Sequence, residues 1–334
     1  MNKKMNILLI GDPHFKNNNQ AETNVFVKET ISYVIKEKNN IDFIVILGDV
    51  LDTHERINLQ ALCRATNFIR ELAKIKFVFV LVGNHDRLNN KVFLTEEHSL
   101  VGLKNNKNIQ IVDKVLKYRE FLFVPYVEPG RFQEALDTVD FDLNDIKAVF
   151  AHQEFYGVKM RNITSEIGDK WSVSNPPVFS GHIHGYQKVQ DNIYYIGTPY
   201  QINFGESEDK GLCMLNINKD DFLLIRVYLP FIKKKTLILK ADDLKELKLD
   251  NQHHWRLIIE DELKYIKAIL ALPEVNETIK NCQMQFKFNE SEKKIDRKSY
   301  FNSSFDDILK SKMDTVDKEI SSYFYSHISS TRLE

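Results

Sequence analysis

Seven residues at the ends of apolar runs among the first 184 together offer a ligand set for divalent cations. They are Asp12 and His14 in "GDPH", Asp49 in "GDVLD", Asn84 in "GNHD", His152, and the pair His182 and His184 in "GHIH". Carboxylates, imidazoles and one amide oxygen suit Mn, Fe or Zn, and are too rich in nitrogen for Mg or Ca alone. The set is larger than one ion needs if positions are to stay open for water. Two ions sharing a bridging carboxylate fit better. Such pairs lie roughly 3.5–4 Å apart and clamp the attacking and leaving oxygens of a phosphoryl displacement. His182 and His184 stand at i and i+2, so on an extended segment both imidazoles face one side. Taken singly, each of these residues reads as an ordinary polar turn. Their coincidence favours the metal reading.

The elements that must position them are short apolar runs, each ending in one of these polar groups. The runs are "MNILLI" before Asp12, "DFIVIL" before Asp49, "FVFVLV" before Asn84, "KAVFA" before His152 and "PPVFS" before His182. Runs rich in Val, Ile and Phe without polar alternation are expected of strands buried on both faces. Between the first three lie helical patterns. Val25, Phe26, Ile31, Val34 and Ile35 share one face, as do Leu62, Ala65, Phe68, Ile69 and Leu72. Strand, helix, strand, helix, strand implies a largely parallel sheet, whose ligands collect outside the carboxyl ends of the strands. Gly11, Gly48, Gly83 and Gly181 precede the polar groups and permit a sharp exit from the strand. After residue 185 the pattern turns all-β, with "NIYYIGTPYQINFG" and "GLCMLNI" expected to form a second sheet completing a sandwich.

From about Pro230 the character changes to a basic run, a short strand and a charged helix, read as a smaller α+β unit over 231–300. The tail, 301–334, carries Phe305, Ile308, Leu309, Val316, Ile320, Phe324 and Ile328 at helical spacing, with Ser304 and Asp307 as a cap signal.

In this order, "GDPH", "GDVLD", "GNHD", His152 and "GHIH" resemble the calcineurin-like metallophosphoesterase superfamily. Within it, "YIGTPYQINFGESEDKGLCML" is most similar to SbcD-type nuclease subunits of bacteria and tailed phages. The resemblance implies a four-layer α/β/β/α sandwich over 1–230. It implies one metal on Asp12, His14 and His184, another on Asn84, His152 and His182, and Asp49 between them. His85 would contact the scissile phosphate and protonate the leaving oxygen, with Asp52 orienting it. The ions would be Mn, with Mg, Fe or Zn as alternatives. The activity implied is that of a DNA nuclease in repair, recombination and replication, exonucleolytic on duplex and endonucleolytic on single strands. The expected partners are DNA, an SbcC-like SMC-type ATPase docked by the C-terminal helix, and a second copy of the chain.

Composition narrows the alternatives. Hydrophobic residues at 43% and charged residues at 28% describe a soluble globular chain, and the net charge of −1 gives no global attraction to nucleic acid. DNA binding must then rest on local patches, metal ions or a partner. Cys63, Cys213 and Cys282 lack disulfide or zinc spacing and read as small core residues. With no signal or membrane-length segment, a cytoplasmic location is expected, in the host cell if the chain is viral. A hydrolase of nucleotides or other small phosphodiesters is the competing reading, and a dead scaffold the third. Protein phosphatases of the superfamily carry Arg-Gly after the second motif and Glu in the third, where this chain has Thr53-His54 and Asp86. Asp86 either orients neighbouring groups or caps its turn. His54 and His98 read as loop or surface residues, His253-His254 as surface strand, and Lys233, Lys234 and Lys235 as a solvated edge.

Overall fold

In the computed structural model, residues 4–288 are described apart from 55, 219, 220 and 251. The C-terminal stripe from Phe305 to Ile328 lies outside the described residues. The chain runs β1 (Met5–Ile10), α1 (Gln20–Lys36), β2 (Phe43–Ile46), α2 (Leu59–Ala73), β3 (Phe77–Leu81), β4 (Ile109–Val112), β5 (Leu116–Tyr118) and β6 (Phe121–Val124). It continues through α3 (Phe132–Leu136), β7 (Ala148–Ala151), the hairpin β8 (Lys159–Met160) and β9 (Ile163–Thr164), then β10 (Val178–Ser180), β11 (Gln187–Gln190), β12 (Ile193–Tyr195), β13 (Leu212–Ile217) and β14 (Phe222–Val227).

Two six-stranded sheets result, ordered β14-β13-β1-β2-β3-β4 and β11-β12-β10-β7-β6-β5. β1 to β4 are parallel in the first, and β6, β7, β10 and β12 in the second. The apolar runs have no polar alternation because successive residues enter different cores. Leu8, Ile10, Ile44 and Ile46 face α1 and α2, while Ile7, Leu9, Val45 and Leu47 face the other sheet. Phenylalanines fill the space between the sheets. Phe79 stacks on Phe123 with centroids 4.2 Å apart, and truncating a buried Phe to Ala costs about 3–5 kcal/mol. Beyond the second sheet lies a third core with Phe132, Ala135, Leu136 and Trp171, so the fourth layer is one short helix with long loops. The architecture is the α/β/β/α sandwich.

Several local expectations are corrected. "GLCMLNI" (β13) does not join the second sheet; it pairs antiparallel with β1 and extends the first. On α1, Phe26 and Val34 are buried as expected, but Ile35 is 53% exposed, Val25 and Ile31 are half-buried, and Thr23 and Thr30 complete the buried stripe. Cys63 is exposed on α2 and only Cys213 is fully buried. β4, β5 and β6 emerge from a stretch in which no strand was anticipated.

A smaller unit follows: β15 (Lys233–Leu239), β16 (His253–Asp261), α4 (Leu263–Leu270), α5 (Pro273–Ile279) and β17 (Gln283–Phe288), with three parallel strands and both helices around Leu257, Ile259, Ile266 and Val275. It is tied to the sandwich through Glu22 of α1, which pairs with Lys234 and lies 3.0 Å from His254 Nδ1. His253 holds Asp250 at 2.6 Å. Lys234 and His254 are therefore a junction between the units, not a solvated edge or surface strand, because the buried Glu22 carboxylate requires partners there. No helix among the described residues is long and apolar enough to cross a membrane.

Candidate metal centre

Backbone hydrogen bonds carry the first-sheet strands on into the ligand loops. His14 N–H donates to the Asp49 carbonyl (3.0 Å) and Phe15 N–H to that of Val50 (2.8 Å). Asp86 resolves to a fastening of the loops: its buried carboxylate accepts from Gly83 N–H (3.0 Å), Val50 N–H (3.2 Å) and Leu51 N–H (2.9 Å). His14 (φ 45°), Asp49 (φ 46°) and His182 (φ 79°) all sit in the left-handed region, which side-chain-bearing residues rarely occupy. Backbone strain of this kind gathers at functional sites. At Gly48 (φ +100°) a Cβ would lie 2.4 Å from His152 Nδ1, and at Gly181 one would lie 2.4 Å from Asp12 Oδ1, so neither position accepts a side chain.

The seven anticipated donors converge from both sheets in two groups. Asp12, His14 and His184 form one; Asp49, His152 and His182 the other, each with donor atoms within 4.8 Å of one another. Asn84 Oδ1 completes the second, 3.0 Å from His152 Nε2 and 2.9 Å from His182 Nδ1. Asp49 lies between them. Its Oδ1 is 3.3 Å from His152 Nε2, and its Oδ2 is 3.7 Å from His14 Nε2, which in turn is 3.1 Å from His184 Nε2.

Hydrogen bonding selects the nitrogens. His152 Nδ1 donates to the Leu47 carbonyl (2.6 Å), leaving Nε2 for the centre. Burial, reinforced by His152, pushes His182 down to about 3, so its ring is neutral. Burial alone would raise Asp49, but His152, His14 and His85 outweigh it and hold the carboxyl well below its ordinary range. Burial raises Asp12, partly opposed by His152. Both Asp12 oxygens are buried without a hydrogen-bond partner. A buried carboxylate left in this state calls for a cation, and the mixed N/O donor set fits divalent transition metals.

His85 faces the same space. Its N–H donates to Asp49 Oδ1 (2.8 Å), its Nε2 stands 3.9 Å from Asp49 Oδ2, and its ring remains part-exposed. Burial lowers its pKa, partly offset by Asp49. Asp52 is not against His85. It stands 3.3 Å from both His14 Nδ1 and Lys16 Nζ, because the loop after Leu51 brings its side chain to the first group. His54 takes the place beside His85, stacked on it with centroids 4.6 Å apart and planes 20° from parallel, so it is no free loop residue. His98 is buried, not a surface residue, with Nε2 3.2 Å from Asp113 and Nδ1 accepting from Leu100 N–H (3.1 Å).

The sequence reading missed Glu206. This carboxylate accepts from His184 Nδ1 (2.9 Å) and Ile202 N–H (3.0 Å) and pairs with Lys210 (3.0 Å), fixing the His184 ring with Nε2 inward. The run "GESEDK" offered only a charged loop.

Residues 5–186 match the family described as calcineurin-like phosphoesterase. The chain is 44% identical over 262 residues to "Putative phosphoesterase 244L" of Invertebrate iridescent virus 6, spanning 76% of this chain and 92% of that one. It is 43% identical over 246 residues to "Putative phosphoesterase 078R" of Invertebrate iridescent virus 3, spanning 72% and 70%. Two donor groups meeting at Asp49 suit hydrolysis assisted by divalent metals. The chain belongs to the calcineurin-like phosphoesterases, hydrolases of phosphate esters that work with divalent metals.

Proposed function

We propose that the chain is a Mn-dependent DNA nuclease, exonucleolytic on duplex ends and endonucleolytic on single strands, working with an SbcC-like ATPase. The observation that carries the two-metal phosphodiesterase part is Asp49, whose two oxygens face two donor groups while His85 borders both. When bound on these groups, divalent ions supply positive charge to the phosphoryl oxygens and acidify water for attack. The protein's own residues do the rest. Asp49, Asp12 and the neutral His182 fix the donors, Glu206 and Leu47 fix which imidazole nitrogens point inward, and His85 gives a proton to the departing oxygen. DNA as substrate is supported by the SbcD-like motif run and by the accessory unit, fastened to α1 through Glu22 and to the Glu206 loop through Gln201. The ATPase would supply the extended basic surface that the net charge of −1 withholds from this chain.

The test incubates the purified chain with MnCl2 and end-labelled linear duplex, circular single-stranded DNA and bis-p-nitrophenyl phosphate. Release of nucleotides from duplex ends and nicking of circles are expected, both lost with EDTA. Hydrolysis of the small ester with neither DNA cut would overturn the nuclease reading and leave a small-phosphodiester hydrolase.

A further inference from the structure

His182 and His184, beside their inward faces, form one wall of an open groove of about 550 Å³. The opposite walls are the β8–β9 hairpin, with Lys159, Met160 and Arg161, and the loop carrying Glu206 and Lys210. Its lining includes the buried Ile183 and the half-buried Met160 and Tyr186. A groove that begins at two residues of the donor groups and leads away from them offers room for the remainder of a substrate.

Its charge is decided by which groups are already engaged. Glu206 is neutralised by Lys210 and His184, while Asp209 is met by Arg226 (3.6 Å) and the Tyr228 hydroxyl (3.0 Å). Lys210 also donates to the His184 carbonyl and to Thr198 Oγ1, both at 2.7 Å. Lys159 and Arg161 are different. Both are exposed, and among the described residues neither side chain has an ion-pair or hydrogen-bond partner. The groove therefore presents two uncommitted cations.

The hairpin holds them in place. Lys159 N–H donates to Gln187 Oε1 (3.0 Å) and Gln187 Nε2 donates back to the Lys159 carbonyl (2.9 Å), fastening β8 to the strand just after the histidine pair. Arg161 occupies the tight turn with φ 56°, and Ser165 closes the base by exchanging backbone hydrogen bonds with Gly157 (2.8 Å) and Val158 (2.9 Å).

We propose that this groove is a polynucleotide subsite: the nucleoside attached to the scissile phosphate packs along Met160, Ile183 and Tyr186, and Lys159 and Arg161 contact the next backbone phosphate. The inference rests on the phosphodiesterase reading above and adds to it the requirement for a strand bearing a second phosphate. A small diester, lacking that phosphate, receives nothing from the two cations.

The experiment compares wild type with Lys159→Gln/Arg161→Gln and the conservative Lys159→Arg/Arg161→Lys. Kinetics with Mn use bis-p-nitrophenyl phosphate and a fluorescein-labelled oligothymidylate, and anisotropy follows binding of the same oligonucleotide to metal-free protein in EDTA. The neutral double variant should lose tenfold or more in the ratio of kcat/KM for oligonucleotide over the small ester, mainly through KM. Its binding should weaken likewise, and the salt dependence should flatten by about two phosphate contacts. The conservative pair should recover most of the loss. An unchanged ratio and unchanged anisotropy, or an equal loss on both substrates without recovery, overturns the subsite. If the wild type cuts no oligonucleotide, the nuclease reading fails. The metal-free binding difference then decides the groove by itself.

Discussion

His184 and Glu206, 22 positions apart, meet through one hydrogen bond of 2.9 Å that turns the opposite ring nitrogen toward His14. Such carboxylate–imidazole pairs raise ligand basicity and fix the tautomer, and losing one typically lowers metal affinity about 10–100-fold. Glu206→Ala should weaken Mn binding by that factor in calorimetric titration. Glu206→Gln, which keeps an acceptor oxygen, should lose less. Equal affinity in wild type and the alanine variant would show that His184 needs no such support.

Asp49 addresses both donor groups, so its replacement should affect both at once. Asp49→Asn is expected to lower bound metal well below that of the wild type and to abolish activity. Elemental analysis after gel filtration measures this directly. Unaltered metal content in the variant would remove Asp49 from its place between the ions.

His85 should behave in the opposite way. His85→Gln is expected to keep its metal and to lose about 10²–10⁴ in rate, less on p-nitrophenyl esters whose leaving group needs little protonation. Loss of metal in this variant would make His85 a ligand. Equal rate losses on good and poor leaving groups would exclude a proton-donating role.

The unpartnered oxygens of Asp12 predict a thermal signature. Mn at a hundredfold excess over Kd should stabilise the fold by about 2.7 kcal/mol, seen as a rise in Tm. Asp12→Asn, relieved of a buried charge, should melt no lower than wild type in EDTA and should lose the response to Mn. A full Mn-induced rise in the variant would contradict this.

The junction at Glu22 predicts acid sensitivity. Burial opposes ionisation, but the hydrogen bonds from His254 and Lys234 prevail and bring Glu22 from 4.5 down to about 2. Because the folded pKa is depressed, this contribution is complete above about pH 4.5 and fades as pH falls toward 2. Glu22→Gln should melt lower at pH 7, leaving Lys234 short of a counter-charge, and the difference from wild type should shrink between pH 4.5 and 2.5. A constant difference over that range would mean that Glu22 acts through packing.

The strand ends were legible because burial on both faces writes an unbroken apolar run, as in Ile7–Ile10, and because such runs stop where a polar group is needed. What escaped depends on distant partners. Glu206 owes its position to a loop folding back on His184, and Lys234 and His254 meet Glu22 across 212 and 232 positions. Within a single loop Asp52 turns to His14 and His54, read as a loop or surface residue, takes the place beside His85, which residue type cannot settle: both can serve a histidine. Ile35 looked apolar enough to be buried, yet the stripe of α1 is set by the sheet beneath it, and two threonines take positions there.

Each donor group takes members from both sheets: Asp12 and His14 from the first with His184 from the second, and Asp49 from the first with His152 and His182 from the second. Neither leaf of the sandwich can assemble a group alone. The centre can form only once residues 14 and 184 have been brought together, and in a chain of such non-local contacts that closure is expected to be slow. A cation arriving earlier finds only scattered donors. Its uptake is therefore a clock for the final docking of the two sheets, and refolding followed by metal-sensitive fluorescence should lag the appearance of secondary structure.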